Sequence, residues 1–213
     1  MVTFGVILVC VCVFLYQQYL PEESEQAMIV SFGMLPAVLF DNRVLAPELQ
    51  LVPAELTLLS SVFLHSGWLH LLGNMAFLWV FGDNIEDSMG HWRFLLFFSA
   101  CGMFASFVHA AAEASSITPL IGASGGVSGV LGAYLVLHPR VRIILLVFMK
   151  LPLMLPAYLM IGIWGGLQVY NVAFGGTGNT AWWAHIGGFV AGVVMIPFFK
   201  RRSIPLFDRG VKH

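Results

Sequence analysis

Long apolar runs separated by polar connections dominate the hydrophobic pattern of this chain. They fall at residues 3–19, 68–82, 92–112, 122–137, 155–170 and 183–199. Crossing a bilayer takes about 20 predominantly apolar residues, with a range near 17–25. The second and fourth runs are short, and short helices hold their place when protein encloses them in place of lipid. The pattern predicts an all-α membrane protein: one domain over residues 1–213, a bundle of six transmembrane helices, a long first loop over 20–67 and a tail over 200–213. Within the loop, residues 49–64 are apolar but broken by Pro53 and speckled with Ser and Thr. This predicts an amphipathic segment lying in the membrane interface.

Composition agrees with a bilayer as solvent. The chain is 59% hydrophobic and 10% charged, against about 25% charged residues in a soluble domain. A net charge of −1, without a basic patch interleaved with aromatics, excludes nucleic acid as a partner. Cys10, Cys12 and Cys101 are odd in number and lack C-x-x-C spacing, so they imply neither a disulfide framework nor a zinc site. They are expected as buried apolar filler. The run at 3–19 has no basic n-region, exceeds the usual length of about 7–15 residues and precedes no A-x-A-type site, so it reads as a retained helix and not a signal peptide. It starts almost at once after Met1, as a trimmed N-terminus would.

Lys and Arg set the orientation. Six spans put both termini on one side, and that side receives Arg93, Arg140, Arg142, Lys150, Lys200, Arg201, Arg202, Arg209 and Lys212. Only Arg43 lies in the first loop. Both termini are therefore expected to be cytoplasmic, with the first loop extracytoplasmic and the connections at 113–121 and 171–182 on its side.

Polar residues inside spans carry the chemical information, since each needs a partner or a wet cavity. His70 and Asn74 lie four apart on the second run, Ser124 and Ser128 four apart on the fourth, and His185 near the start of the sixth. All three runs begin on the outer side, so at ~1.5 Å per residue these groups share one layer, a few ångströms to ~10 Å below the outer surface. Each has a bland alternative. A lone membrane Ser commonly bonds back to its own helix, His185, His70 and Asn74 could be interhelical glue, and Gly122, Gly125, Gly129, Gly188 and Gly192 make small-xxx-small steps for helix packing. Ser, His and an amide in one layer, with glycines on both facing helices, are harder to explain as packing alone.

That combination can run acyl transfer, which needs a nucleophile, a base and donors aimed at a developing oxyanion. Ser124 would attack and His185 would take its proton. The Gly125–Gly129 step against the Gly188–Gly192 step would bring the two backbones close. The Ser124 N–H, in a first helical turn, and the Asn74 side chain could bind the oxyanion, with His70 as a further donor. No Asp or Glu is expected at that depth, which makes the machinery a Ser–His dyad. The G-A-S-G-G stretch at 122–126 matches the soluble hydrolase elbow only in letters, because that motif needs a strand before the serine.

Three blocks in order, His70-Leu71-Leu72-Gly73-Asn74, Gly122-Ala123-Ser124-Gly125 and Ala184-His185-Ile186-Gly187-Gly188 continuing to Gly192, resemble the rhomboid family of intramembrane serine proteases, as does the Gly82/Glu86 pair. The resemblance implies Ser124 as nucleophile, His185 as base, and His70 and Asn74 lining the oxyanion hole. It implies single-pass membrane proteins as substrates, cut in or near the transmembrane segment, and neither metal nor any other cofactor. The bacterial type it resembles would sit in an inner (plasma) membrane. Two departures stand out. Pro53-Ala54-Glu55-Leu56-Thr57 replaces a Trp-Arg pair that many members carry in the first loop, and Ser128 replaces an aromatic that stacks on the histidine in some members, so the imidazole must be oriented from elsewhere, with packing on the sixth run the first candidate. Small residues Gly162, Gly165 and Gly166 suggest the fifth run as a gate. Competing readings are an inactive rhomboid-like client-binding protein, which would characteristically lack the Ser or His, and a channel or transporter, which would carry ionic groups at mid-bilayer. The absence of H-E-x-x-H excludes a metalloprotease of that type.

Overall fold

The computed structural model describes residues 1–147, 151–175 and 180–207; Lys150, Arg209 and Lys212 lie outside the described residues, as do 176–179. Nine α-helices are present among them: α1 (Val2–Tyr19), α2 (Glu22–Phe32), α3 (Pro36–Leu39), α4 (Thr57–Ser60), α5 (Trp68–Met89), α6 (His91–Ala112), α7 (Ser124–Leu137), α8 (Ala157–Phe174) and α9 (Trp182–Phe199). A hairpin of β1 (Arg142–Val147) and β2 (Leu151–Pro156), antiparallel with Arg142 opposite Pro156, joins α7 to α8.

A helix stands at each of the six apolar runs. Four of them, α1, α6, α8 and α9, are long and apolar enough to cross a membrane, and α5 makes a fifth when joined across an 82° bend to the stretch before it. The 14-residue α7 is shorter, about 21 Å at the α-helical rise against a hydrocarbon core of about 30 Å. It is enclosed: every residue from Gly125 to Leu137 except Leu135 is buried, and α5, α6, α8 and α9 all contact it.

Helix boundaries moved for local reasons. α5 continues seven residues past 82, to Met89, because its last turns dock α1. Gly82 faces Thr3, and the buried Glu86 carboxylate accepts from Val2 N at 2.7 Å, Thr3 N at 2.8 Å and Thr3 Oγ1 at 2.6 Å, with His91 Nδ1 against its other side. The first amides of a helix have no intrahelical acceptor and favour an anion, so the carboxylate is satisfied where it is buried. α7 starts at Ser124, two residues late, because Gly122 has φ +120°. α8 starts at Ala157 because Leu155 and Pro156 finish β2. The hairpin itself was absent from the expected helical plan.

The first loop is folded, not a plain interfacial strip. Residues 47–63 form short 3-10 and α turns, with Thr57, Ser61, Val62 and Leu64 buried while Leu51 and Leu56 stay exposed. Backbone pairing does the anchoring that a Trp-Arg pair would otherwise be expected to do. Met34 and Leu120 exchange both N–H···O bonds at 3.0 and 2.8 Å, Gly122 N donates to Ser61 O at 2.9 Å, and Ser60 Oγ donates to Phe32 O at 2.7 Å. Gln17 of α1 clasps the His65 backbone, donating to its carbonyl and accepting from its N–H. Cys10 and Cys101 are buried as expected, whereas Cys12 is exposed on the outer face of α1.

Candidate active site

The turn before α7 positions most of the site. At φ +120° Gly122 adopts a backbone that side-chain-bearing residues rarely take, and a Cβ there would stand 2.6 Å from His70 Cε1 and Nε2. Gly122 thus lies outside the helix and admits the His70 ring; it is not a helix–helix packing residue as its spacing suggested. The first backward bond of α7 is Val127 N to Ala123 O at 2.9 Å, so the amides of Ser124, Gly125 and Gly126 open the helix without i−4 acceptors.

The bland serine behaviour belongs to Ser128, whose hydroxyl donates to Ser124 O at 2.6 Å. Ser124 is half-buried and lines a cavity of about 760 Å³ together with His185, His70, Asn74, His109 and Trp164. The His185 ring makes its hydrogen bond to Gln168 and none to Ser124 Oγ; hydrogen bonds between groups that react together are often long outside the complex with substrate.

Backbone contact between α7 and α9 brings the two residues to one cavity. A Cβ on Gly188 would run into the carbonyl of Gly125, and one on Gly192 into that of Gly129. Gly125 and Gly129 direct their own missing side chains at Ala105 and Cys101 of α6, so these two α7 glycines admit α6 while Gly188 and Gly192 admit α7. Such close approach is how helices gain packing energy where lipid removes the hydrophobic drive.

His70 has a defined tautomer. Its Nδ1 accepts from Ser66 N at 3.4 Å and faces Ser66 Oγ at 3.0 Å. With Nδ1 accepting, a neutral ring carries its proton on Nε2, the atom beside Gly122. Asn74 Nδ2 donates to His70 O at 3.0 Å and keeps a second N–H for the cavity. Behind His70 lies the fully buried His65, ring centroids 5.2 Å apart. Burial, reinforced by His70, pushes the His65 imidazole down to about 4, so this neighbour stays neutral.

Five residues at the site were not anticipated. His109 and Glu113, from the end of α6, line the cavity, so an acid does reach a site expected to lack one. Gln168 of α8 is buried with its Oε1 2.8 Å from His185 Nδ1. The Trp164 ring lies 6.0 Å from the His185 ring, and Trp182 meets it edge-on at 6.2 Å. The imidazole is therefore oriented largely from α8, with Trp182 the contribution of α9. A buried Gln in an apolar helix was the available signal, but its target depends on how α8 is rotated.

A family model described as the rhomboid domain matches residues 53–202, which include every site residue above. The chain belongs to the rhomboid family. Rhomboid protein 1, mitochondrial, of Saccharomyces cerevisiae is 29% identical over 153 residues, covering 67% of this chain and 41% of that protein. Rhomboid protease GluP of Bacillus subtilis is 33% identical over 156 residues, 72% of this chain and 27% of that protein. RHOMBOID-like protein 12, mitochondrial, of Arabidopsis thaliana is 30% identical over 164 residues, 69% of this chain and 46% of that protein. The chain spans less than half the length of each of these rhomboid relatives. Family membership and the apolar helices make it an integral membrane protein; with mitochondrial and bacterial relatives side by side, they do not select the membrane.

Proposed function

We propose that this rhomboid is an intramembrane serine endopeptidase that hydrolyses a peptide bond in or near the transmembrane segment of single-pass membrane proteins. One observation carries the reading: Ser124 in the first turn of α7 and His185 in the first turns of α9 line one cavity with His70 and Asn74. Ser124 Oγ attacks the scissile carbonyl carbon while its proton passes to His185 Nε2. The oxyanion is held by the Ser124 N–H, His70 Nε2–H and the free Asn74 N–H. The C–N bond then breaks, the His185 proton leaves on the amine, and water hydrolyses the acyl-enzyme by the same route.

Six spans with both termini cytoplasmic complete the proposal, α7 crossing inside a sheath of other helices. α5, α7 and α9 carry the site at their N-terminal turns and are followed at their C-terminal ends by Arg93, by Arg140 and Arg142, and by Lys200, Arg201 and Arg202. By the positive-inside rule the cavity then opens to the extracytoplasmic side.

The test is cleavage of a single-span substrate in liposomes. Ser124→Ala and His185→Ala should each abolish it, and a serine-reactive fluorophosphonate should label only protein that retains Ser124. Asn74→Ala should keep residual activity, since one oxyanion donor typically contributes about 10²–10³-fold. Undiminished cleavage in either dyad variant would refute the mechanism, and client binding without cleavage by the intact chain would favour the inactive, client-binding reading.

A further inference from the structure

We infer that Gln168 is the positioning residue for His185, selecting which ring nitrogen carries the proton and leaving Nε2 as the base. The inference rests on the Ser124–His185 reading above. It follows from a chain of hydrogen bonds in which each link fixes the next.

Gln168 Nε2 donates to Trp164 O, four residues back on α8, at 2.9 Å. A backbone carbonyl only accepts, so the amide nitrogen is held there and Oε1 is left to face His185. Oε1 lies 2.8 Å from His185 Nδ1 and, as an amide oxygen, also only accepts. Nδ1 must therefore bear the hydrogen. A neutral imidazole protonated at Nδ1 has its lone pair on Nε2, in a ring that lines the cavity with Ser124. When Nε2 takes the Ser124 Oγ proton, the ring carries two N–H groups and a positive charge. The Nδ1–H stays on Nδ1, held by the negative end of the Gln168 carbonyl dipole.

The residue type fits its surroundings. A carboxylate would supply a stronger acceptor, but an ion in a membrane helix is costly; an amide supplies the acceptor without the charge. Asn171 on the same helix provides the contrast. Its Nδ2 also donates four residues back, to Leu167 O at 2.7 Å, but Asn171 reaches no site residue, which is how a merely satisfied membrane amide behaves. Gln168 closes the same backbone bond with its nitrogen and gives its oxygen to the base. It is also one of only three buried residues on α8, with Ala157 and Ile161.

The titratable groups that share the cavity with His185 are His70 from α5 and His109 and Glu113 from α6. Among the described residues, α7 contributes Ser124, Val127, Ser128 and Leu131 and α8 contributes Trp164 to its lining, none of them charged. Substitution at Gln168 leaves these groups in place, so a displaced pH profile reports on position 168.

The experiment measures kcat and KM against pH for wild type, Gln168→Leu, Gln168→Glu and Asn171→Leu in liposomes with a single-span substrate, with Ser124→Ala and His185→Ala alongside. Gln168→Leu should lower kcat roughly tenfold, the equivalent of one hydrogen bond, with KM unchanged. Gln168→Glu should restore kcat and move the acidic limb of kcat/KM upward by roughly one pH unit, as a carboxylate beside an imidazolium does. Asn171→Leu should match wild type. A Gln168→Leu enzyme with wild-type kcat, or a Gln168→Glu enzyme whose acidic limb does not move, overturns the inference. Should Gln168→Leu fail to fold, the acidic limb of Gln168→Glu decides alone. Undiminished cleavage by Ser124→Ala or His185→Ala would instead overturn the underlying dyad, a result distinct from any confined to position 168.

Discussion

α9 is held in two opposite ways on its two sides. Against α7 it is locked by backbone contact, with Gly188 and Gly192 pressed on the carbonyls of Gly125 and Gly129. Against α8 it meets a helix whose glycines, Gly162, Gly165 and Gly166, have nothing within 4 Å of where a Cβ would stand. The contacts there are rings and one polar bond: Trp164 to Phe189 at 6.0 Å and Gln168 to His185. The close side determines how near His185 comes to Ser124, and the loose side determines how the His185 ring is turned. Distance is thus assigned to a contact that cannot give without backbone movement, orientation to side-chain contacts from a neighbouring helix.

The largest effect should come from filling the close side. In Gly192→Ala the new methyl meets backbone, which cannot rotate away, so α7 and α9 must separate. Overpacking of this kind costs about 1–3 kcal/mol, and a 1 Å displacement of reacting groups can cost about 10²-fold in rate. Cleavage should fall at least that far and the detergent melting temperature should drop; a variant with normal melting and normal cleavage would show that the two helices are not held at this separation. Gly122→Ala should be next. It combines a strained φ of +120° with a clash against the His70 ring, displacing a proposed oxyanion donor but leaving the α7–α9 contact intact. Cleavage should drop by about 10²-fold with a smaller loss of melting temperature than Gly192→Ala, measured on the same preparations.

How far the chain announced this arrangement depends on what each feature requires. The helices at the six apolar runs were legible because apolar length is itself the physical requirement for crossing or filling a bilayer. The cavity shared by His70, Asn74, Ser124 and His185 was legible because each stands near the start of its helix, where position can be counted from one end. The β1–β2 hairpin was not: Ile143 to Val147 and Leu151 to Leu155 are aliphatic runs too short to discriminate strand from helix, and only their pairing settles the form. Gln168 was visible as a polar residue, but α8 is apolar almost all round, so no polar stripe fixed its rotation. His109 and Glu113 were missed for a related reason. They stand at the far end of their helix, so counting from helix starts did not reach them, whereas the cavity extends along the end of α6.

The smallest effect should come from the loose side, and it is the most exacting check of the comparison. Gly165→Ala and Gly166→Ala add a methyl where no neighbour stands, so no clash opposes them. Replacing glycine by alanine inside a helix stabilises it by roughly 0.5–1 kcal/mol in water, and here the methyl enters open space. Melting temperature should hold or rise slightly, and fluorophosphonate labelling of Ser124 should stay within about twofold of wild type, well inside the cost of one lost oxyanion donor. A labelling loss approaching that of Gly192→Ala would mean that α8 packs as tightly on its glycine face as α7 does on α9. Cleavage of a single-span substrate falling while labelling is preserved would be informative in the opposite sense. On the proposed function the small reagent needs only Ser124 and His185 in place, whereas a substrate helix that entered past α8 would also need α8 to yield, and the two readouts would then separate orientation of His185 from admission of the substrate.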